Sequence, residues 1–168
     1  MDLIEALKKA TSRVTHEYFD FMVASKNSPI KRERVYCYEL YHQLRCAWPE
    51  ANHIFSAEPD KRGDLTYLGR RPNPDLIFHQ PGNHHFNHTV IEVECRPTRR
   101  HMQKDLMTFS ILKGKGYQHF VLLLFGIPNP PWPILEKVAT DIAFNLDEVT
   151  VLLHQTPGQA ATHESRPR

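Results

Sequence analysis

The stretch His88-Thr89-Val90-Ile91-Glu92-Val93-Glu94-Cys95 decides the fold. Its apolar and β-branched residues predict a strand. A strand sends alternate side chains to opposite faces, so Glu92 and Glu94 share one face roughly 6.5 Å apart while Ile91 and Val93 face the other layer. Two carboxylates in an otherwise apolar strand need partners, because burying an unpaired charge is costly even after the surroundings relax. A short distance upstream, Pro74-Asp75-Leu76-Ile77-Phe78 reads as a neighbouring strand and brings a third carboxylate, Asp75. A divalent cation would satisfy all three together.

Outward from that stretch the chain alternates in type. Leu3, Ile4, Leu7, Val14, Tyr18, Phe21 and Met22 recur at broadly helical spacing and predict a first helix over 2–24, broken by Ser28-Pro29. Val35, Tyr36, Leu40, Leu44 and Ala47 predict a second helix over 30–47, which carries Glu39 and ends before Pro49. Residues 54–58 read as a short strand, 60–64 as a turn, and 74–79 as a strand closed by Pro81-Gly82. After the acidic strand, Met102, Leu106, Phe109 and Leu112 predict a helix from Arg99 to Lys113, with Gly114 and Gly116 as terminators.

Residues 118–125 form the most continuous apolar run, as expected of a mid-sheet strand covered on both faces. An irregular proline-rich loop over 126–133, a helix over 134–146 and a strand over 148–154 complete the pattern. Residues 157–168 are polar and are expected to be disordered. The order ααβββαβαβ implies an α/β fold, a mixed sheet flanked by helices, in a single domain over 1–156.

Composition narrows the class. A chain of 168 residues with 40% hydrophobic content can bury one real core, and a second domain would be cramped. Lys plus Arg (21) nearly balances Asp plus Glu (19), so a preference for nucleic acid must come from local clusters. Such clusters exist at Lys31-Arg32 with Arg34, at Arg70-Arg71, and at Arg96, Arg99, Arg100 and Lys104. Cys37, Cys46 and Cys95 are odd in number and show no Cys-x-x-Cys spacing, which predicts reduced core thiols and a cytoplasmic setting. The charged start reads unlike a signal peptide, and no run approaches the ~18 apolar residues of a membrane span, so a soluble protein is expected.

Other chemistries lack their motifs. His84-His85-Phe86-Asn87-His88 has no companion ligand pair and reads as a polar turn rather than a zinc site or a His-Asn-His nuclease element. Lys113-Gly114-Lys115-Gly116 lacks the frame that cradles nucleotide phosphates. Pro130-Pro131-Trp132-Pro133 reads as a rigid loop rather than a proline-rich ligand, and no nucleophilic Ser or Cys arrangement stands out.

Pro74-Asp75 followed by Glu92-Val93-Glu94, with a helix bearing Glu39 ahead of them, resembles the PD-(D/E)xK nuclease superfamily, whose fold is restriction-endonuclease-like. The likeness runs from about Arg34 to Phe125. It is to small bacterial members that carry a comparable Tyr-Glu-Leu-Tyr helix, here 38–41, a Glu-x-Asp-Lys-x-Gly turn, here 58–63, and a Lys-Asp-Leu crossover helix, here 104–106. The resemblance implies Mg²⁺, with Mn²⁺ as substitute, held by Asp75, Glu92 and the Val93 carbonyl, with Glu39 or Glu58 completing the shell. It implies hydrolysis of a phosphodiester in DNA, with Arg70, Arg71, Arg96, Arg99 and Arg100 on the backbone. It also implies roles in bacterial defence, repair or mobile-element biology, and a homodimer or a defence-system protein as further partners.

The family places its catalytic lysine where this chain has Glu94. Lys104 and Lys61 are the replacement candidates; alternatively Glu94 ligates a second ion, or catalysis is lost and the fold binds nucleic acid or a protein. Plainer readings stand beside these. Asp75 can cap the start of its strand, Glu94 can pair with Arg96 or Arg99, and Glu39 can be a solvated helix residue.

Overall fold

The computed structural model describes residues 2–48, 54–57, 72–80 and 87–167. Glu58, Lys61, Arg70, Arg71, the 60–64 turn, the Pro81-Gly82 break, His84 and His85 lie outside the described residues.

The described elements are α1 (Leu3–Thr11), α2 (His16–Phe19), α3 (Glu33–Ala47), β1 (Ile54–Ala57), β2 (Leu76–His79), β3 (Asn87–Glu94), α4 (Arg99–Lys113), β4 (His119–Phe125), α5 (Trp132–Asp141), β5 (Val149–His154) and β6 (Thr162–Glu164). The strands form one sheet in the order β1-β2-β3-β4-β5-β6. The first three make an antiparallel meander, β3, β4 and β5 run parallel with α4 and α5 as crossovers, and β6 returns antiparallel. The α/β class and the mixed sheet predicted from periodicity are present.

Three elements differ from the sequence reading. The single helix expected over 2–24 is two short ones, because Ser12, Arg13 and Val14 leave the helix in hydrogen-bonded turns that bury Val14. The helix expected to reach 146 stops at Asp141, and Ala143 follows in the left-handed region at φ 54°. The tail expected to be disordered supplies β6 instead. Gly158 N–H donates to the Val14 carbonyl (2.9 Å) and Ala161 N–H to Thr11 Oγ1 (2.9 Å), so the end of the chain is tied back to α1.

Two apolar layers sandwich the sheet. Strand β4 explains why its sequence is continuously apolar: Val121, Leu123 and Phe125 pack with α1 and α3, whereas Phe120, Leu122 and Leu124 pack with α4 and α5. Ile91 and Val93 join the first layer through Leu40 and Leu44 of α3; Val90 joins the second through Met102, Leu106 and Phe109 of α4. Glu92 and Glu94 therefore face the α4 layer, where apolar residues would be expected.

The first layer contains one buried polar pair. Tyr36 and His154 are fully buried, with Tyr36 Oη 2.7 Å from His154 Nδ1 and His154 Nε2 2.8 Å from the Thr156 carbonyl. A carbonyl only accepts, so Nε2 carries the proton and Nδ1 accepts from the phenol. Burial pushes His154 down to about 4, keeping it neutral.

Candidate metal and nucleic-acid site

The parallel ladder ends at Glu94, and the chain turns through Arg96 and Thr98 into α4, so the carboxyl end of β3 lies beside the amino end of a fifteen-residue helix. The antiparallel register pairs Leu76 with Ile91; continuing it by one residue places Asp75 across from Glu92 on the same face. The Asp75 carboxylate accepts a hydrogen bond from Val93 N–H at 2.7 Å. Val93 thus meets the site through its amide, while its side chain packs in the opposite layer.

Glu92 is 0% exposed, and neither of its carboxyl oxygens has a hydrogen-bond partner among the described residues. Asp105, on the sheet-facing stripe of α4, is likewise buried with Oδ2 unpartnered. Lys104 extends from the same helix, its Nζ 3.7 Å from Glu92 Oε2 and 3.2 Å from Asp105 Oδ1. Sequence reasoning nominated Asp75, Glu92 and Lys104, and the structure brings them together.

The electrostatics follow from crowding three acids around one ammonium. Burial, reinforced by the Asp75 and Asp105 charges, holds the Glu92 carboxyl well above the ordinary carboxylate range. Burial likewise pushes Asp105 up to about 7 against the opposing pull of Lys104. Burial by itself would lower Lys104, but the attraction of Glu92, Asp105 and Asp75 outweighs it and the ammonium is held above its usual value.

Two residues missed in the sequence reading complete the surroundings. Glu33, in the first turn of α3, is driven by burial and by the charges of Asp75 and Glu94 up to about 8. Ligand atoms of Glu33, Glu94 and Cys95 lie within 4.8 Å of one another. His101, in the first turns of α4, places Nδ1 2.7 Å from Glu94 Oε2. The Glu94 oxygens are engaged by His101 and by the Arg96 N–H, so this carboxylate does not pair with the guanidinium of Arg96 or Arg99 as the plain reading had it.

Other nominated residues sit elsewhere. Glu39 accepts from Gln43 Nε2 at 2.7 Å and, at roughly 3.6 residues per turn, lies well out of phase with Glu33, which is the acid α3 turns toward the cluster. Arg99 pairs with Asp141 of α5 at 2.8 Å, on the surface. Arg96 is exposed in the turn before α4. Arg100 lines an open groove of about 770 Å³ with His101, Gln103 and Lys104. Cys37 and Cys95 are buried as expected, and Cys46 is exposed. His88, at the far end of β3 from Glu94, packs against the rings of Phe78 and His119.

A pH dependence of stability follows from these shifts. An acid with a raised folded pKa holds protons that the unfolded chain has released, so stability falls as pH rises from the unfolded value toward the folded one. For Glu33 that window runs from 4.5 to about 8. His154 slopes the other way, adding stability as pH rises from about 4 to 6.5, so above 6.5 it no longer opposes the slope of the carboxyl cluster. The melting temperature in chelator is expected to fall between pH 6.5 and about pH 8 and to recover on adding Mn²⁺. Calorimetry showing a flat profile across that window would contradict the cluster as described.

Among the described residues, no helix is long and apolar enough to cross a membrane. Comparison of the chain with protein-family models gives no match, and comparison with curated proteins gives none either.

Proposed function

We propose that this chain is a Mg²⁺-dependent phosphodiesterase of the PD-(D/E)xK type that acts on nucleic acid, with DNA as substrate. The observation that carries this reading is that, among the described residues, both Glu92 carboxyl oxygens and Asp105 Oδ2 are buried without a hydrogen-bond partner, next to Lys104, which itself lines an open groove with Arg100 and His101. A stable fold rarely leaves buried carboxyl oxygens unmatched, and a small hard cation takes oxygen ligands, one or two carboxylates among them. The donor set fits: Asp75, Glu92 and Asp105 would hold the ion, with Glu33 nearby. When bound, the ion would polarise the phosphodiester and lower the pKa of a bound water.

The remaining work belongs to the chain's own residues. Lys104 stabilises the charge that develops on the phosphoryl oxygens and supplies the cation that Glu94 displaced from the family position. Arg100 and Arg96 bind the nucleic-acid backbone on either side. The first turn of α4 contains no acid and is followed closely by Lys104, although a helix amino end ordinarily favours acids; that arrangement suits an anionic substrate. The meander followed by a parallel crossover, with an Asp at the entry to one strand and a Glu on its neighbour, is also the layout expected of a restriction-endonuclease-like fold.

The second reading is a silent relative that binds nucleic acid without cutting it, favoured by Glu94 standing where the lysine is expected. Asp75→Ala separates the two. Under the first reading the variant loses Mg²⁺-dependent cleavage of DNA while its binding in a gel-shift assay persists; wild-type protein that binds DNA and never cuts it supports the second.

A further inference from the structure

We propose that Glu94 and His101 form a proton-accepting pair that takes over part of the duty of the missing lysine, with His101 Nε2 removing the proton from the water that attacks the phosphodiester. This inference rests on the hydrolase reading above.

His101 Nδ1 lies 2.7 Å from Glu94 Oε2 and 3.0 Å from the Arg96 carbonyl oxygen. A backbone carbonyl can only accept, so Nδ1 carries the hydrogen, and in the neutral form of the ring the lone pair is then on Nε2. No hydrogen bond occupies Nε2 among the described residues. The ring is 46% exposed and lines the open groove together with Lys104, one helical turn further on. Glu94, by contrast, is buried, and its second oxygen is fixed by the Arg96 amide.

A buried carboxylate anchored on a strand, and an exposed imidazole at the groove with its Nδ1 hydrogen fixed, make up the arrangement by which acid-histidine pairs accept protons. Charge accounts for the departure from the family pattern. With the cation moved to Lys104, an acid at position 94 is useful because it orients the ring and stabilises the imidazolium that forms. In the step, a water proton passes to Nε2 as the water oxygen bonds to phosphorus and the bond from phosphorus to the leaving oxygen breaks. The leaving oxygen takes a proton from solvent, and the imidazolium returns its own to solvent.

His101 is exposed, so His101→Ala and His101→Gln should keep the fold, which circular dichroism checks. With a labelled DNA duplex and Mg²⁺, His101→Ala is expected to lower kcat about a hundredfold or more, to regain activity when imidazole is added, and to leave Mn²⁺ uptake unchanged. In metal-free wild-type protein, ¹⁵N spectra should show the neutral ring protonated at Nδ1. A ring protonated at Nε2, or a His101→Ala enzyme as fast as wild type, overturns the pair and leaves the hydrolase reading standing. Wild-type protein that cuts neither DNA nor RNA with Mg²⁺ or Mn²⁺ overturns both.

Discussion

Replacing Glu92 by Gln is expected to lower Mg²⁺-dependent cleavage by about a thousandfold and, in metal-free protein at pH 8, to raise the melting temperature. The two effects have one cause. Glu92 is fully buried, its oxygens have no hydrogen-bond partner among the described residues, and its counter-charge, Lys104, stands off at 3.7 Å. Holding it there works against folding, since the Asp75 and Asp105 charges add to the burial penalty. An amide of the same shape removes the cost of either charging or protonating the group but remains a buried polar group, so the net gain is about 1–2 kcal/mol. At roughly 2–4 °C per kcal/mol for a chain of this size, the midpoint rises by a few degrees. Scanning calorimetry and a cleavage assay on the same preparation read both effects. A midpoint that drops by several degrees would identify Glu92 as a structural partner of Lys104 rather than as a group kept for function.

Lys104→Gln should move metal affinity in the opposite direction. Its ammonium, 3.2 Å from Asp105 and 3.7 Å from Glu92, competes with any divalent ion for the same carboxylates. Removing it is expected to leave Mn²⁺ binding equal or tighter while cleavage falls about a hundredfold, because the charge opposite the developing phosphoryl oxygens is gone. Lys104 is about half exposed, at 55%, so solvent screens the pair and the stability cost stays modest. Tighter ion uptake with slower cutting would set Lys104 apart from Glu92, whose loss should weaken uptake. Weaker ion uptake in Lys104→Gln would mean that the lysine organises the carboxylates rather than competing for them.

Much of this site was legible in the sequence for a definite reason. Strand alternation is strict, so an acid at Glu92 between Ile91 and Val93 had to occupy a face of its own, and the apolar run over 118–125 implied a sheet buried on both sides. Asp105 was equally available and was passed over: it falls in register with Met102, Leu106, Phe109 and Leu112, so a carboxylate sits where the helix stripe calls for an apolar residue. Glu33 carries the same signal, preceding Tyr36, Cys37, Leu40 and Leu44 on the buried face of α3, whereas Glu39 falls outside that stripe. Phase within the helix, rather than likeness to a motif helix, was the better guide.

His101 carried no comparable signal. Its contact with Glu94 depends on how the Arg96 to Thr98 turn redirects the chain, and local pattern does not encode that geometry. Strand β6 was missed because its three residues are polar and two are exposed. It is held by an edge pairing with β5 and by the Thr11 hydroxyl, which are long-range contacts that composition alone reads as a loose tail.

Asp75 at the entry to β2, Glu92 of β3 and Asp105 of α4 would together hold one hard cation next to Lys104. Titration of the metal-free protein with Mn²⁺ by calorimetry, at pH 8 and moderate salt, is expected to show saturable uptake of at least one ion per chain in the wild type, lost in an Asp75→Asn, Glu92→Gln double variant that remains folded. The same weak, unsaturable heat from both proteins would mean that the acids only answer Lys104 and that no ion is held there.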